Sequence, residues 1–135
     1  MKAAGMSRKD IEIMAPAGSY ESLMAAIQGK ADSVYFGAGE LNMRAASSVN
    51  FSPDDLRKIA GICRDNGLKS YLTLNVVVFD NETDKMKMIV DTAMSAGISA
   101  IIASDLSVIK YAFGKGMEVH LSTQCNITNT EALRF

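Results

Sequence analysis

The sequence predicts an α/β fold in which parallel βα units follow one another, and three observations lead to that prediction. Short apolar stretches alternate with amphipathic helical patterns along the 135-residue chain. Each helical pattern ends at a glycine that stands shortly before the next apolar stretch, namely Gly29, Gly67, Gly97 and Gly116. The strand patterns near residues 11, 72 and 120 have one aliphatic face and one mixed polar face. Because parallel strands need a crossover segment between them, the strand–helix–strand order predicts a parallel sheet.

The first predicted unit begins with a strand at residues 11–14, followed by a tight Pro/Gly turn. Ser19 is a suitable N-cap for the next helix, and Glu21 in the first turn interacts favourably with the helix dipole. Gly29 is expected to end this helix at the C′ position, where a left-handed conformation is common. The second strand is predicted at residues 33–37, which completes a β–α–β crossover.

The second unit begins with a polar loop at residues 38–50, which is long enough to indicate a functional segment. The clearest helix start in the chain follows it. Ser52 is the predicted N-cap, Pro53 occupies the first helical position, and Asp55 completes a variant of the capping box. Gly67 ends the helix.

The remaining elements continue the same alternation. Strands are predicted at 70–78, 99–103 and 117–121, and helices at 82–96, from residue 104 or 105 to 113, and from 128 to 135. Residues 1–10 are expected to be a flexible end and residues 11–135 to form a single domain.

Two architectures fit this order, and the strand faces discriminate between them. Leu72 and Leu74 alternate with Thr73 and Asn75, and His120 lies on the polar side of the last strand. A doubly wound sheet has helices on both faces and favours two apolar faces. A barrel has helices outside and an inner face that can be polar towards its open mouth. We therefore predict a partial TIM-like barrel, truncated to five strands. A complete barrel takes about 250 residues, so this would be the N-terminal part of a larger one; a small doubly wound sheet is the alternative.

The composition excludes several classes of protein. The net charge of −1 provides no basic field for a dedicated nucleic-acid-binding module. Cys63, Cys125 and His120 are the only cysteines and histidine, too few for a structural zinc site in this chain alone. We expect reduced thiols and a cytoplasmic location. No apolar run approaches the length of a membrane span, so no membrane association is expected.

Two residues are candidates for catalysis. His120 could act as a general base, or it could be a hydrogen-bonded histidine inside the barrel. Glu40 is the second candidate, in the loop after the second strand. The same loop carries Asn42 and Arg44, which could bind a carboxylate or phosphate, since a guanidinium offers two parallel donors. Alternatively, Arg44 braces the loop through an ion pair with Glu40.

Further polar residues stand where predicted strands end, at the edge of a parallel sheet where chemistry is usually found. Asn75 follows the third strand and Ser122 and Gln124 follow the fifth. All three are candidates for substrate binding, and Asn75 could alternatively cap the loop.

Five short motifs occur in order at these strand ends. They are Ala15-Pro16-Ala17-Gly18, residues 32–37, Asn42-Met43-Arg44-Ala45, Thr73-Leu74-Asn75 and Ser122-Thr123-Gln124-Cys125-Asn126. Together they resemble the N-terminal barrel region of the U32 peptidase family, the collagenase-like proteases. The resemblance implies a TIM-barrel-like domain and a peptidase. It also implies relatives that hydroxylate RNA or support ubiquinone synthesis with an iron–sulfur cluster.

Three functions follow from these observations. The first is the N-terminal fragment of a U32 peptidase, expected to be inactive alone; the second is part of an RNA-hydroxylating or iron–sulfur-dependent biosynthetic enzyme; the third is a non-catalytic binding or scaffold domain. The expected substrate is a peptide or an RNA. The resemblance implies that the family's cluster ligands lie downstream, so no cofactor is expected in this chain, whereas the full-length protein could hold an iron–sulfur cluster or a metal. Open strand edges and uncovered apolar residues predict self-association, most simply as a dimer.

Overall fold

The computed structural model describes residues 7–43 and 51–134, and these form five parallel strands alternating with helices. The strands are β1 (Met14–Pro16), β2 (Ser33–Gly37), β3 (Lys69–Leu74), β4 (Ala100–Ala103) and β5 (Glu118–Leu121). The helices are α1 (Tyr20–Gln28), α2 (Leu56–Asp65), α3 (Thr83–Ala96), α4 (Leu106–Gly114) and α5 (Thr130–Arg134). None of the described helices has the length and apolar character that crossing a membrane requires. The predicted α/β class, with its parallel βα repeats, is confirmed.

The strands lie side by side in chain order, β1-β2-β3-β4-β5. Right-handed crossovers between sequential neighbours place their helices on the same face of a sheet. In a doubly wound sheet the strands are instead added first on one side of the starting strand and then on the other. That change of side places helices on both faces of the sheet. The described strands show no such change of side, so the topology favours a segment of a βα barrel.

The core lies between one face of the sheet and the helices. The register aligns Phe36, Leu72, Ile101 and Val119 in one row across β2 to β5. The first three are fully buried and Val119, on the last strand, is partly buried. Each of the first four helices contributes buried apolar side chains to this core, among them Leu23, Ile59, Val90 and Val108.

The first strand begins later than the sequence pattern indicates. The predicted strand at 11–14 is shifted to Met14–Pro16, and Ile11 and Ile13 are 47% and 46% exposed. Ile13 is still bonded to the start of β2, because its carbonyl accepts hydrogen bonds from the Asp32 and Ser33 amides at 2.8 and 3.2 Å. The Asp32 carboxylate accepts a hydrogen bond from the Ile13 amide at 2.7 Å. The third strand ends at Leu74, earlier than predicted. Beyond it, the Asn75 side chain bonds to the Met43 amide and the Val78 amide bonds to Asp105.

Helix ends follow the predicted signals with one exception. Asp55 accepts a hydrogen bond from the Ser52 amide at 2.9 Å, which confirms the capping box. Gly97 has a φ of +83° after α3, as a left-handed terminator requires. The prediction for Gly29 is wrong: its φ is −73°, and Lys30 adopts the left-handed conformation with a φ of +57°. The helical hydrogen bonding continues through Gly29, whose amide donates to Ala25, so the turn comes one residue later.

Two predicted segments fall partly outside the described residues. Of the expected flexible end at 1–10, residues 8–10 form a short 3-10 turn that begins at Arg8. Arg8 contacts the Asp32 carboxylate at 2.9 Å. Of the long loop at 38–50, the structure describes residues 38–43.

Candidate functional site

The sheet face opposite the core carries most of its polar strand side chains. Two register rows share this face: Tyr35, Tyr71, Ala100 and Glu118 form one, and Gly37, Thr73, Ile102 and His120 form the other. None of these residues belongs to the apolar cluster that packs against the helices. This is the polar face that the strand alternation predicts, and in a barrel it would line the interior.

His120 lies in a chain of polar contacts across this face. Its Nε2 atom is 2.8 Å from Glu118 Oε1 and its ring meets the Tyr71 ring edge-on, with centroids 4.8 Å apart. The Tyr71 hydroxyl donates to Glu12 Oε1 at 2.6 Å, and Lys69 Nζ contacts the other carboxylate oxygen at 2.8 Å. Glu118 and Glu12 both stand near strand starts, so this contact chain runs along the amino end of the polar face.

The same contacts decide the charge of Glu12. Hydrogen bonds from Lys69 and from Tyr71 lower the pKa of the Glu12 carboxyl to about 2. Burial, and next the bond to Glu12, raise the pKa of Tyr71, which therefore remains a neutral donor. The cluster holds an ionised carboxylate between two donors on the polar face of the sheet. His120 lies on the same face, and catalysis by His120 stays a prediction.

The carboxyl end of β2 is built around a buried amide. Asn42 is only 2% exposed, and its Nδ2 donates to the Gly39 carbonyl at 3.0 Å. The amide lies directly over Gly37, where an added Cβ would be 2.3 Å from Asn42 Oδ1. Glycine is therefore required at Gly37 by the close approach of a side chain. Asn42 shapes the start of the loop after β2.

Asn75 joins this loop to the end of β3. Its Oδ1 accepts a hydrogen bond from the Met43 amide at 3.3 Å. The structure thus brings Asn42 and Asn75 to the same edge of the sheet, as the sequence predicts. Arg44, the predicted anion-binding residue beside them, lies outside the described residues.

Ser122 and Gln124 form the corresponding edge after β5. The Ser122 hydroxyl donates to the Gln124 side-chain oxygen, and the Ser122 amide donates to the Ala103 carbonyl at 2.8 Å. Cys125 lies behind them, its thiol 3.7 Å from the carbonyl oxygens of Ala103 and Ser104. These contacts fix both polar side chains beside the carboxyl end of β4.

The Glu40 side chain does not contact the polar face of the sheet. Its carboxylate pairs with Lys85 on α3, a helix that packs on the core face of the sheet. The bond and the charge of Lys85 hold the pKa of the Glu40 carboxyl below its ordinary value. The structure therefore does not bring Glu40 together with His120. Its catalytic candidacy stays a prediction without support from this geometry.

The two cysteines are free thiols on different elements. Cys63 is buried on α2, and burial raises the pKa of its thiol to about 11, so it is unreactive at neutral pH. Cys125 follows β5. Within residues 7–43 and 51–134, no three His, Cys, Asp or Glu side chains are grouped to hold a metal ion. The described residues do not fit an iron–sulfur cluster, and no chemistry is assigned to one here.

Three residues on the polar face and at the carboxyl edge of the sheet were not predicted as site residues from the sequence. Glu12 and Tyr71 anchor the amino end of the polar face, and Asp105 ties two loops together at the carboxyl end. Tyr71 could have been found, since it alternates onto the polar face. Partial burial disfavours the ionised form of Asp105, but hydrogen bonds from Ser107 and Val78 outweigh it and lower its pKa.

The described residues form a sequential parallel βα sheet with polar groups at its carboxyl edge, the edge at which α/β barrels carry their sites. The sequence profile described as peptidase family U32 matches residues 18–135. The match covers most of the chain, and the chain belongs to this family. The resemblance found from the five strand-end motifs is thereby confirmed.

Some of its relatives are named as a collagenase and others as proteins of RNA hydroxylation. The chain is 62% identical over 130 residues to a collagenase of Porphyromonas gingivalis, covering 96% of this chain and 31% of that protein. It is 30% identical over 129 residues to tRNA hydroxylation protein P1 of Bacillus subtilis, covering 94% and 30%. It is 26% identical over 130 residues to a 23S rRNA 5-hydroxycytidine C2501 synthase of Escherichia coli, covering 96% and 19%. The chain spans less than a third of each relative.

Proposed function

We propose that this chain forms part of the TIM-like barrel of a collagenase-like peptidase, and that the carboxyl edge of its sheet binds the peptide. The observation that carries the proposal is the 62% identity to a protein named collagenase over nearly the whole chain. The sequential parallel strand order supports the barrel. The alternative of a non-catalytic scaffold has no comparable support.

The amides at the carboxyl edge suit an extended peptide. Asn75 Oδ1 accepts from Met43, and the Gln124 side-chain oxygen accepts from Ser122. Because the protein uses both oxygens, each amide is left to present its NH₂ group, and an NH₂ group donates to a carbonyl. A peptide backbone offers such a carbonyl at every residue. Binding sites of this kind fix a ligand with a few placed polar groups.

The polar face of the sheet has a supporting role in this proposal. Glu118 engages His120 Nε2, and Tyr71 packs against the imidazole ring. We assign these residues to positioning the strands that carry the edge. No nucleophile is assigned among the described residues, and the chain alone is expected to be inactive. The enzyme would act in the cytoplasm, where the free thiols Cys63 and Cys125 stay reduced.

A hybrid protein tests this function. The aligned 130 residues of the P. gingivalis collagenase would be replaced by this chain, so that the relative supplies the remainder. We expect the hybrid to cleave gelatin and a fluorogenic collagen-type peptide at a rate within tenfold of the unaltered relative, as an order-of-magnitude expectation. The controls are the unaltered relative and this chain alone. A cooperatively folded hybrid that cleaves neither substrate, beside an active relative, would contradict the proposal.

RNA hydroxylation is the second candidate, supported by the 30% identity to tRNA hydroxylation protein P1 over 94% of the chain. The matching test is a hybrid in which this chain replaces the aligned segment of that protein. The hybrid would be expressed in a strain that lacks the hydroxylation protein, and mass spectrometry of its tRNA would detect one added oxygen if hydroxylation is restored. Restored hydroxylation together with no peptide cleavage by the first hybrid would favour this function.

A further inference from the structure

A cleft lies at the carboxyl edge, between the segment after β3 and the turn after β4. Its volume is about 370 Å³, and its lining is Val76, Val77, Ser104, Asp105, Leu106 and Gln124. Gln124 connects it to the amides of the proposed peptide-binding edge. The volume falls within the range of small-ligand sites.

Two large apolar side chains form the open walls of this cleft. Val77, in the segment after β3, is 69% exposed, and Leu106, the first residue of α4, is 77% exposed. Phe79, which follows Val77 in the segment after β3, is 67% exposed. Contiguous exposed apolar side chains mark binding surfaces more often than isolated ones do.

The two walls are held at a fixed separation. Asp105 Oδ2 accepts a hydrogen bond from the Val78 amide at 3.0 Å, next to Val77. Asp105 Oδ1 accepts from the Ser107 amide at 2.8 Å, which caps the helix that begins at Leu106. The Asp105 carboxylate therefore joins the segment after β3 to the start of α4. A preformed cleft loses less conformational entropy on binding than a mobile one.

The charges of the lining select between peptide and RNA. Among the described residues that line the cleft, Asp105 alone is charged, and both of its oxygens accept protein hydrogen bonds. RNA binding relies on Lys and Arg side chains at the phosphates. A cleft with aliphatic walls, an amide at one end and no cation suits an uncharged apolar group.

We propose that this cleft is a specificity subsite that takes one apolar side chain of an extended peptide, such as leucine, between Val77 and Leu106. Gln124 would donate to the carbonyl of the same peptide residue. The inference rests on the proposed peptidase function, and it adds the side-chain preference and the residues that set it.

The test is a methyl NMR titration of the whole chain with N-acetyl-leucine amide. We expect the methyl signals of Val77 and Leu106 and the side-chain NH₂ signal of Gln124 to shift with one saturating curve. N-acetyl-lysine amide and uridine 5′-monophosphate are the competing probes, expected to shift these signals little. Leu106→Gln should weaken leucine-amide binding about tenfold, the scale of one lost apolar contact. Phe113→Gln is the matched control, at the far end of the same helix and 76% exposed; it should leave binding unchanged.

Equal shifts with the lysine probe, or larger shifts with the nucleotide, would overturn the subsite. So would equal weakening by Leu106→Gln and Phe113→Gln. The NMR titration does not require catalysis, so its result is independent of the cleavage assay on the hybrid. Peptide cleavage by the hybrid without leucine-amide binding would remove the subsite alone, whereas binding without cleavage would remove the proposed function on which it rests.

Discussion

Gly37→Ala tests the way in which the carboxyl edge is built. The new Cβ would lie 2.3 Å from Asn42 Oδ1 and 2.5 Å from its Cγ, more than about 1 Å closer than ordinary contact. Asn42 is 2% exposed and hydrogen-bonded to the Gly39 carbonyl, so its amide has little room to move. Overpacking of this kind costs about 1–3 kcal/mol. Loss of the buried amide's hydrogen bonds adds about 1–3 kcal/mol.

We therefore expect Gly37→Ala to lower the free energy of unfolding by about 2–6 kcal/mol. Urea unfolding followed by circular dichroism measures it. In an Asn42→Ala background the clash is absent, and Gly37→Ala should then cost less than about 1 kcal/mol. Gly61→Ala is the control with opposite sign. Its Cβ would meet only Arg64, at 3.9 Å, and in a helix interior alanine should stabilise by about 0.5–1 kcal/mol. Additive losses in the double variant would refute the described packing of Asn42 on Gly37.

Three further predictions concern other parts of the chain. The pKa of Glu12 is about 2 in the folded state, so its stabilising contribution is present above about pH 4.5 and is lost as the pH falls from 4.5 to 2. Glu12→Gln should therefore reduce the loss of unfolding free energy over that pH interval. Asp105→Ala should lower stability by about 1–2 kcal/mol, measured by urea unfolding, because the α4 cap and the bond to Val78 are lost. The open edge at β5, where Leu121 is 47% exposed, should make the chain dimerise at micromolar concentration; a monomer by light scattering would contradict this.

Local signals explain which elements the sequence could predict. β2 was predicted at its observed bounds because its apolar run is flanked by clear turn residues. The capping box at Ser52 was predicted because its partner Asp55 is three residues away; it caps a 3-10 turn at Pro53–Asp55, and α2 follows three residues later than predicted, at Leu56. The family was identified from strand-end motifs, which are also local in sequence.

The remaining features depend on partners distant in the chain. Asp32 accepts a hydrogen bond from the Ile13 amide across 19 residues, just before β1 begins. Glu40 is drawn to Lys85, 45 residues away, so loop position alone could not predict its direction. Glu12 meets Tyr71 across 59 residues. Such contacts depend on strand register, which the sequence pattern does not specify to the residue.

The most direct test of the account compares two asparagines in the P. gingivalis hybrid. Asn75 lies at the carboxyl edge and Asn66 at the end of α2, and each side chain makes a hydrogen bond to the backbone, with Met43 and Ile62 respectively. Loss of either bond should lower stability by about 0.5–1.5 kcal/mol. We predict that Asn75→Ala lowers kcat/KM for the collagen-type peptide at least about tenfold, as loss of a substrate hydrogen bond does, and that Asn66→Ala leaves it unchanged. Equal kcat/KM values in the two folded variants would contradict the claim that the carboxyl edge of this sheet binds the substrate.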